Sequence, residues 1–233
     1  MHITVLTLFP EIFPGPLGVS LIGKALRKGL FTLQVVDIKA FARQGRVDSP
    51  PCGGGCGMIL APDVLEAALA SFSVPSGTLF LYPSPRGRPF SQEMGQEFSA
   101  QHDIVFLCGR YEGVDVRFLE KHAFREVSLG DYVLMGGEIA TLAFIEASVR
   151  LIPGVVGDPT SLQEDSLDVA TGPLLEYPQY TTPVCWEGRS VPSVLLSGNH
   201  GAIQQWRQEQ ACAITRQRRP DLWKRYVAKQ LPF

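Results

Sequence analysis

Apolar positions along the first two thirds of the chain switch between two rhythms. Short aliphatic or β-branched runs at residues 3–9, 32–38, 78–82, 104–107 and 125–129 are bounded by polar, glycine or proline residues and predict strands. Between them, residues 19–28, 63–70, 92–99, 115–121 and 138–151 carry the spacing expected of helices. Strand and helix taking turns implies an α/β fold, a mostly parallel sheet with helices on both faces. Pattern alone predicts an unknotted, right-handed sandwich, because threaded chains are very rare. Residues 157–172 form a long polar stretch between apolar segments and read as a mobile interdomain linker. Beyond it, residues 201–217 and 220–230 predict two helices in a small C-terminal unit, 173–233, whose core would be marginal alone.

Composition narrows the class. The chain has 233 residues, 45% of them apolar and 19% charged, as in an ordinary globular protein. No apolar run approaches the length needed to span a bilayer, so no membrane partner is expected. No basic region precedes the first apolar stretch, which reads as a strand instead of a signal peptide. Five irregularly spaced cysteines argue against a disulfide framework and for a reducing, cytoplasmic setting. Cys52 and Cys56 flank Gly53, Gly54 and Gly55, the spacing of a metal clip. A zinc site wants two further ligands, and His2, His102, His122 and His200 are scattered, so no firm metal site is predicted.

The net charge of −2 gives no global attraction to nucleic acid. It is unevenly spread, however: residues 200–233 hold seven cations (Arg207, Arg216, Arg218, Arg219, Lys224, Arg225, Lys229) against two anions (Glu209, Asp221). Local charge within a Debye length governs phosphate contact more than the total does. Charge alone leaves a solvated basic surface and a nucleic-acid face both open.

Two glycine-bearing strings carry the candidate chemistry. They are Leu107-Cys108-Gly109-Arg110-Tyr111-Glu112-Gly113-Val114-Asp115 and Ser128-Leu129-Gly130-Asp131-Tyr132-Val133-Leu134-Met135-Gly136-Gly137-Glu138. Each follows a predicted strand and leads toward a predicted helix. Glycine just past a strand lets backbone approach a ligand that a side chain would block. Two such loops at neighbouring strand ends would line one crevice at the carboxyl edge of the sheet. Neither G-x-x-x-x-G-K-[ST] nor G-x-G-x-x-G occurs, which disfavours a phosphate cradle.

These strings resemble the signature of the bacterial tRNA (guanine-N1)-methyltransferase family, TrmD, of the knotted SPOUT class. The likeness continues in shared order through Thr7-Leu8-Phe9-Pro10-Glu11, Gly53-Gly54-Gly55, Gly57-Met58 and Pro85-Arg86-Gly87-Arg88. Later come Ile152-Pro153-Gly154-Val155, Glu164-Asp165-Ser166, Pro178-Gln179-Tyr180-Thr181 and Leu195-Leu196-Ser197-Gly198-Asn199-His200. The resemblance implies that residues 1–156 form a methyltransferase domain with a deep trefoil knot, against the unknotted expectation from pattern. It implies methyl transfer from S-adenosyl-L-methionine to N1 of guanosine at tRNA position 37, following another guanosine. Cofactor-lining positions then fall on Pro85, Gly109, Tyr111, Glu112, Ser128, Leu129, Gly130, Asp131, Tyr132, Val133, Leu134, Gly136 and Gly137. Glu112 would meet the methionine end or a Mg2+ ion, although no dense cluster of oxygen ligands declares a magnesium cage.

Guanine N1 is a far weaker acid than a carboxyl group, so an aspartate alone, with a reference pKa of about 3.9, is a poor base for it. A cation beside O6 helps: two charges about 4 Å apart at an effective dielectric near 20 gain roughly 4 kcal/mol, about three pKa units. The resemblance places the base on Asp165 and the cation on Arg150. From the residues alone, Arg150 reads as a cation favouring a helix C-terminus, and Asp165 as one of several solvated linker acids beside Asp158, Glu164 and Asp168. The resemblance further implies a homodimer with active sites shared between subunits, and a tRNA anticodon-arm surface carrying Ser197, Asn199, His200, Arg216, Arg218 and Arg219. Three positions depart from the family pattern: Cys56 stands where proline is usual, Met135 where serine is common, and Thr182 where arginine is frequent.

Overall fold

A computed structural model describes residues 1–157, 166–167 and 172–230. The expected linker, 157–172, lies largely outside the described residues. The chain divides into two compact units, residues 1–157 and 158–233.

The first unit is built on five parallel strands: β1 (His2–Thr7), β2 (Thr32–Asp37), β5 (Leu79–Pro89), β6 (Asp103–Leu107) and β7 (Arg125–Ser128), in the order β2-β1-β6-β5-β7. Alternate residues serve opposite cores. Ile3 and Val5 of β1, with Ile104 and Phe106 of β6, join one apolar cluster; Leu6, Val105 and Leu107 join the other. The first cluster is closed by α1 (Ser20–Arg27), α3 (Gln92–Ser99) and α5 (Glu138–Val149), the second by α2 (Pro62–Leu69) and α4 (Val116–Lys121). Both faces of the sheet are therefore covered, which is why these strands read as nearly continuous apolar runs.

Two features go beyond the sequence pattern. Strand β5 does not stop at Tyr82: Val127 of β7 faces both Pro83 and Arg88, so the chain bows out between them and returns to the same neighbour. A methyl group on Gly87 would sit 2.6 Å from the Glu126 carbonyl oxygen, and the return crossing needs that bare backbone. In addition, β3 (Asp48–Ser49) and β4 (Ile59–Leu60) form a short antiparallel pair. Leu60 in turn bridges Val114, which brings the Gly53-Gly54-Gly55 segment to the edge of the sheet.

The second unit holds a hairpin, β8 (Cys185–Trp186) with β9 (Arg189–Ser190), and two helices, α6 (His200–Arg218) and α7 (Pro220–Gln230). Asn199 caps α6 by accepting the Ala202 N–H at 3.1 Å. The buried Thr215 hydroxyl accepts the Leu175 N–H at 2.8 Å, and the Arg207 guanidinium lies 4.7 Å from the Tyr177 ring centre. Among the described residues, no helix is long and apolar enough to cross a membrane.

Candidate active site

The loops that follow β6 and β7 open onto one cleft of about 1130 Å³ at the carboxyl edge of the sheet. Every position expected to line a cofactor is on its wall except Asp131. The remaining wall comes from the β5 excursion at Ser84, Pro85 and Arg86, from Tyr82, and from residues 49–52 and 59–63 beside the β3–β4 pair.

The two loops are packed closely against their neighbours. The Gly137 N–H donates to the Gly109 carbonyl at 3.0 Å, tying the two loops together at the floor. A methyl group on Gly109 would lie 2.7 Å from the Tyr82 hydroxyl, and one on Gly137 would lie 3.0 Å from the Cys108 Cα. Tyr82 is buried, and desolvation followed by repulsion from Glu126 raises its phenol above the ordinary tyrosine range. Burial likewise pushes the Cys108 thiol well up; it lies 3.3 Å from the Thr141 hydroxyl and is no nucleophile. Tyr111 adopts φ 58°, a left-handed conformation uncommon for a side chain of its size, in a residue whose ring is more than half exposed at the cleft.

One group of side chains holds the loops in place. Glu138, 1% exposed at the first turn of α5, accepts from Thr7 Oγ1 at 2.8 Å and from Arg110 Nε at 3.2 Å. Arg110 Nη2 lies 2.9 Å from the second carboxylate oxygen, an ion contact whose angle falls short of a hydrogen bond. The same guanidinium donates from Nη1 to the Met135 carbonyl at 3.2 Å and covers the Phe9 ring at 4.3 Å. The end of β1, the first loop and the second loop are thus joined by one buried carboxylate and one arginine. Sequence reasoning missed this latch. The signal was present as two opposite charges, one inside each glycine string, but the strings were read for their glycines.

Glu112 leans against the segment that precedes β4. Its N–H donates to the Met58 carbonyl at 2.9 Å, and a methyl on Gly57 would meet its Oε1 at 2.6 Å. Asp115 caps α4 by accepting the Arg117 N–H at 3.0 Å and binds that guanidinium through both oxygens, which lowers its carboxyl below the ordinary range. Met135 projects into solvent with 89% of its surface exposed.

Arg150 is the C-cap of α5, half-buried, its N–H bonded to the Glu146 carbonyl. Asp165 lies outside the described residues. Ser197, Asn199, His200, Arg216, Arg218 and Arg219 are all exposed on the second unit. Three of them also have local partners: the Ser197 hydroxyl donates to the Val194 carbonyl, Asn199 caps α6 as above, and Arg219 grips Asp221 at 2.9 and 2.6 Å.

Comparison with known proteins places this geometry. Residues 1–225 match the family model described as tRNA (Guanine-1)-methyltransferase TrmD. A tRNA (guanine-N(1)-)-methyltransferase of Gluconobacter oxydans is 51% identical over 228 residues, covering 97% of this chain and 96% of that protein. Proteins of the same name from Rhodospirillum rubrum (50% identical over 230 residues, 98% and 95% covered) and Brucella ovis (51% over 227 residues, 97% and 92%) agree. Two glycine loops meeting at one cleft, in a chain matched over nearly all its length at this identity, lead to one conclusion: the chain belongs to the TrmD family of tRNA (guanine-1)-methyltransferases.

Proposed function

We propose that this chain transfers a methyl group from S-adenosyl-L-methionine to N1 of guanosine 37 in tRNA, next to the anticodon. The observation that carries the reading is the cleft itself, walled in part by two glycine loops so closely packed that a methyl on Gly109 or Gly137 would crowd Tyr82 or Cys108. Such loops suit a ligand gripped by amides and carbonyls, and the cleft, at about 1130 Å³, is slightly larger than the roughly 300–1,000 Å³ typical of small-molecule sites. S-adenosylmethionine supplies a methyl already activated on a positively charged sulfur, so the protein has only to hold and orient it. Pro85, Gly109, Tyr111 and the 128–137 loop would do the holding, and Glu112 would face the methionine end.

The acid–base work falls to Arg150 and Asp165. Arg150 beside guanine O6 stabilises the negative charge that develops as N1 loses its proton, and Asp165 accepts that proton. Magnesium enters only as a second contact at Glu112. The described residues gather no cluster of three or more His, Cys, Asp or Glu, so the ion would draw its other oxygens from bound substrate. The trefoil knot belongs to the same reading, with the two glycine loops as its crossing segments.

A homodimer completes the proposal. Val133, 88% exposed, with Met135 and Ile139 forms an apolar row on the second loop and the start of α5, a surface suited to a second copy of the chain. The second unit, with Ser197, Asn199, His200 and the exposed arginines of α6, would receive the anticodon arm. Reaching the Watson–Crick edge of the target requires the base to be unstacked. The test is methyl transfer from labelled cofactor to tRNA transcripts that differ only at the target base and its 5′ neighbour, with the product nucleoside identified. Guanosine should yield 1-methylguanosine and adenosine nothing. Methyl groups found on ribose, or on another base, would overturn the assignment.

A further inference from the structure

Cys52 and Cys56 are used by nothing in the chemistry above. Both thiols are free and exposed, and Cys52 lies on the cleft wall. They are separated by Gly53, Gly54 and Gly55 at φ 91°, 83° and 127°, conformations that side chains rarely adopt. The Gly54 N–H donates to the Pro51 carbonyl at 3.2 Å, a turn that folds the segment back on itself. A methyl group built on Gly53 or Gly54 would meet nothing within 4 Å, so the turn can change shape without displacing a neighbour. A disulfide needs its Cα atoms about 4.4–6.8 Å apart; a five-residue turn with three glycines between its cysteines is free to bend to that separation.

We propose that Cys52 and Cys56 form a reversible disulfide under hydroperoxide, and that closing it weakens cofactor binding. The Cys52 thiolate attacks one peroxide oxygen, the O–O bond breaks, and hydroxide leaves to take up a proton as water. The resulting sulfenic acid is then attacked by the Cys56 sulfur, which forms the S–S bond and displaces the second oxygen as water. Two thiols are oxidised by two electrons and one peroxide becomes two waters. A small exposed ring of this kind is the labile class of disulfide, open again to a thiol reductant. The consequence reaches the site through Gly57 and Met58, which press on the Glu112 side chain and accept its N–H. Pulling Cys56 toward Cys52 draws on those contacts directly.

The bond can be read without any assay of activity. The full-length protein is treated with hydrogen peroxide, remaining thiols are alkylated, and the digest is weighed. The peptide spanning residues 52–56 should be two hydrogens lighter than its reduced form, unalkylated, and restored by dithiothreitol. Calorimetry with S-adenosylmethionine should show the oxidised protein binding about tenfold more weakly, a loss that dithiothreitol reverses. Cys56→Ser should keep basal methyl transfer and lose the peroxide-dependent drop. Alkyl groups or separate oxygens on both cysteines, or a link to Cys185 or Cys212, would overturn the site. A closed 52–56 bond with unchanged affinity would overturn its effect. The mass measurement stands apart from the function proposed above; only the affinity arm rests on it.

Discussion

Glu138→Ala is the substitution whose cost the structure makes most calculable. The carboxylate is 1% exposed and receives Thr7 Oγ1, Arg110 Nε and the ion contact from Arg110 Nη2, whose side chain is 19% exposed. Removing one partner of a buried pair typically costs about 3–5 kcal/mol, because the other charge stays out of water unpaired. Arg110 keeps the Met135 carbonyl and the Phe9 ring, which puts the expected loss at the lower end, about 3 kcal/mol. Hydrogen exchange of peptides from β6 and α5 should report that loss as faster opening, and titration calorimetry should find S-adenosylmethionine binding lost with it, since both loops hang on this contact. A double-mutant cycle with Arg110→Met and Glu138→Leu isolates the pair. If the carboxylate acts through Arg110, the coupling should exceed about 1.5 kcal/mol; additivity within about 0.5 kcal/mol would refute the latch.

Other outcomes follow from the same geometry. Gly109→Ala places a methyl 2.7 Å from the hydroxyl of the buried Tyr82, and overpacking of that kind costs about 1–3 kcal/mol; calorimetry should show cofactor affinity down about tenfold or more. Met135→Ser, which restores the residue common in the family, should leave affinity within about twofold, because the loop uses the Met135 carbonyl and leaves its side chain in solvent. Arg150→Ala should lower kcat by about 10²–10³ with the cofactor dissociation constant unchanged, as single-turnover kinetics would reveal. Hydrogen bonding to Arg219 depresses the Asp221 carboxyl to about 2. Its stabilising contribution is therefore present above the ordinary carboxylate range and lost as pH falls through about 2, and NMR titration of Arg219→Gln should show it back near the ordinary value.

What could be read from the chain and what could not divides along physical lines. β1 and β6 were legible because burial on both faces makes a strand apolar along its length, as Ile3, Val5 and Leu6 or Ile104 through Leu107 show. The second half of β5 was not. Pro83, Pro85, Gly87 and Pro89 spell the end of a strand by every local rule, and pairing to Val127 and Ser128 of β7 keeps the returning chain in the sheet. The two loops at the cleft announced themselves through glycine, since close packing of backbone at Gly109 and Gly137 leaves no room for a side chain. Arg110 and Glu138 did not, because no periodicity links a loop arginine to a helix-start glutamate, and burial of a charge is visible only once the chain has folded. The small β3–β4 pair was missed for want of length: two residues a side carry no pattern.

The latch also explains how the backbone of two glycine loops can hold a defined position at the cleft. Apolar packing fixes where β6 and β7 end, but it is non-directional and does not set the angle at which the following loops leave. Amides and carbonyls can recognise a ligand only if that angle is held to within a fraction of a hydrogen-bond length. Here the Gly137 N–H to Gly109 carbonyl bond sets the spacing at the floor, and the Glu138–Arg110–Met135 chain sets it at the outer end of the second loop. A methyl on Gly136 would meet Glu138 Oε2 at 2.6 Å, so the glycine admits the latch as much as it admits a ligand. Glycine at that position thus serves rigidity here, the reverse of its usual association with freedom.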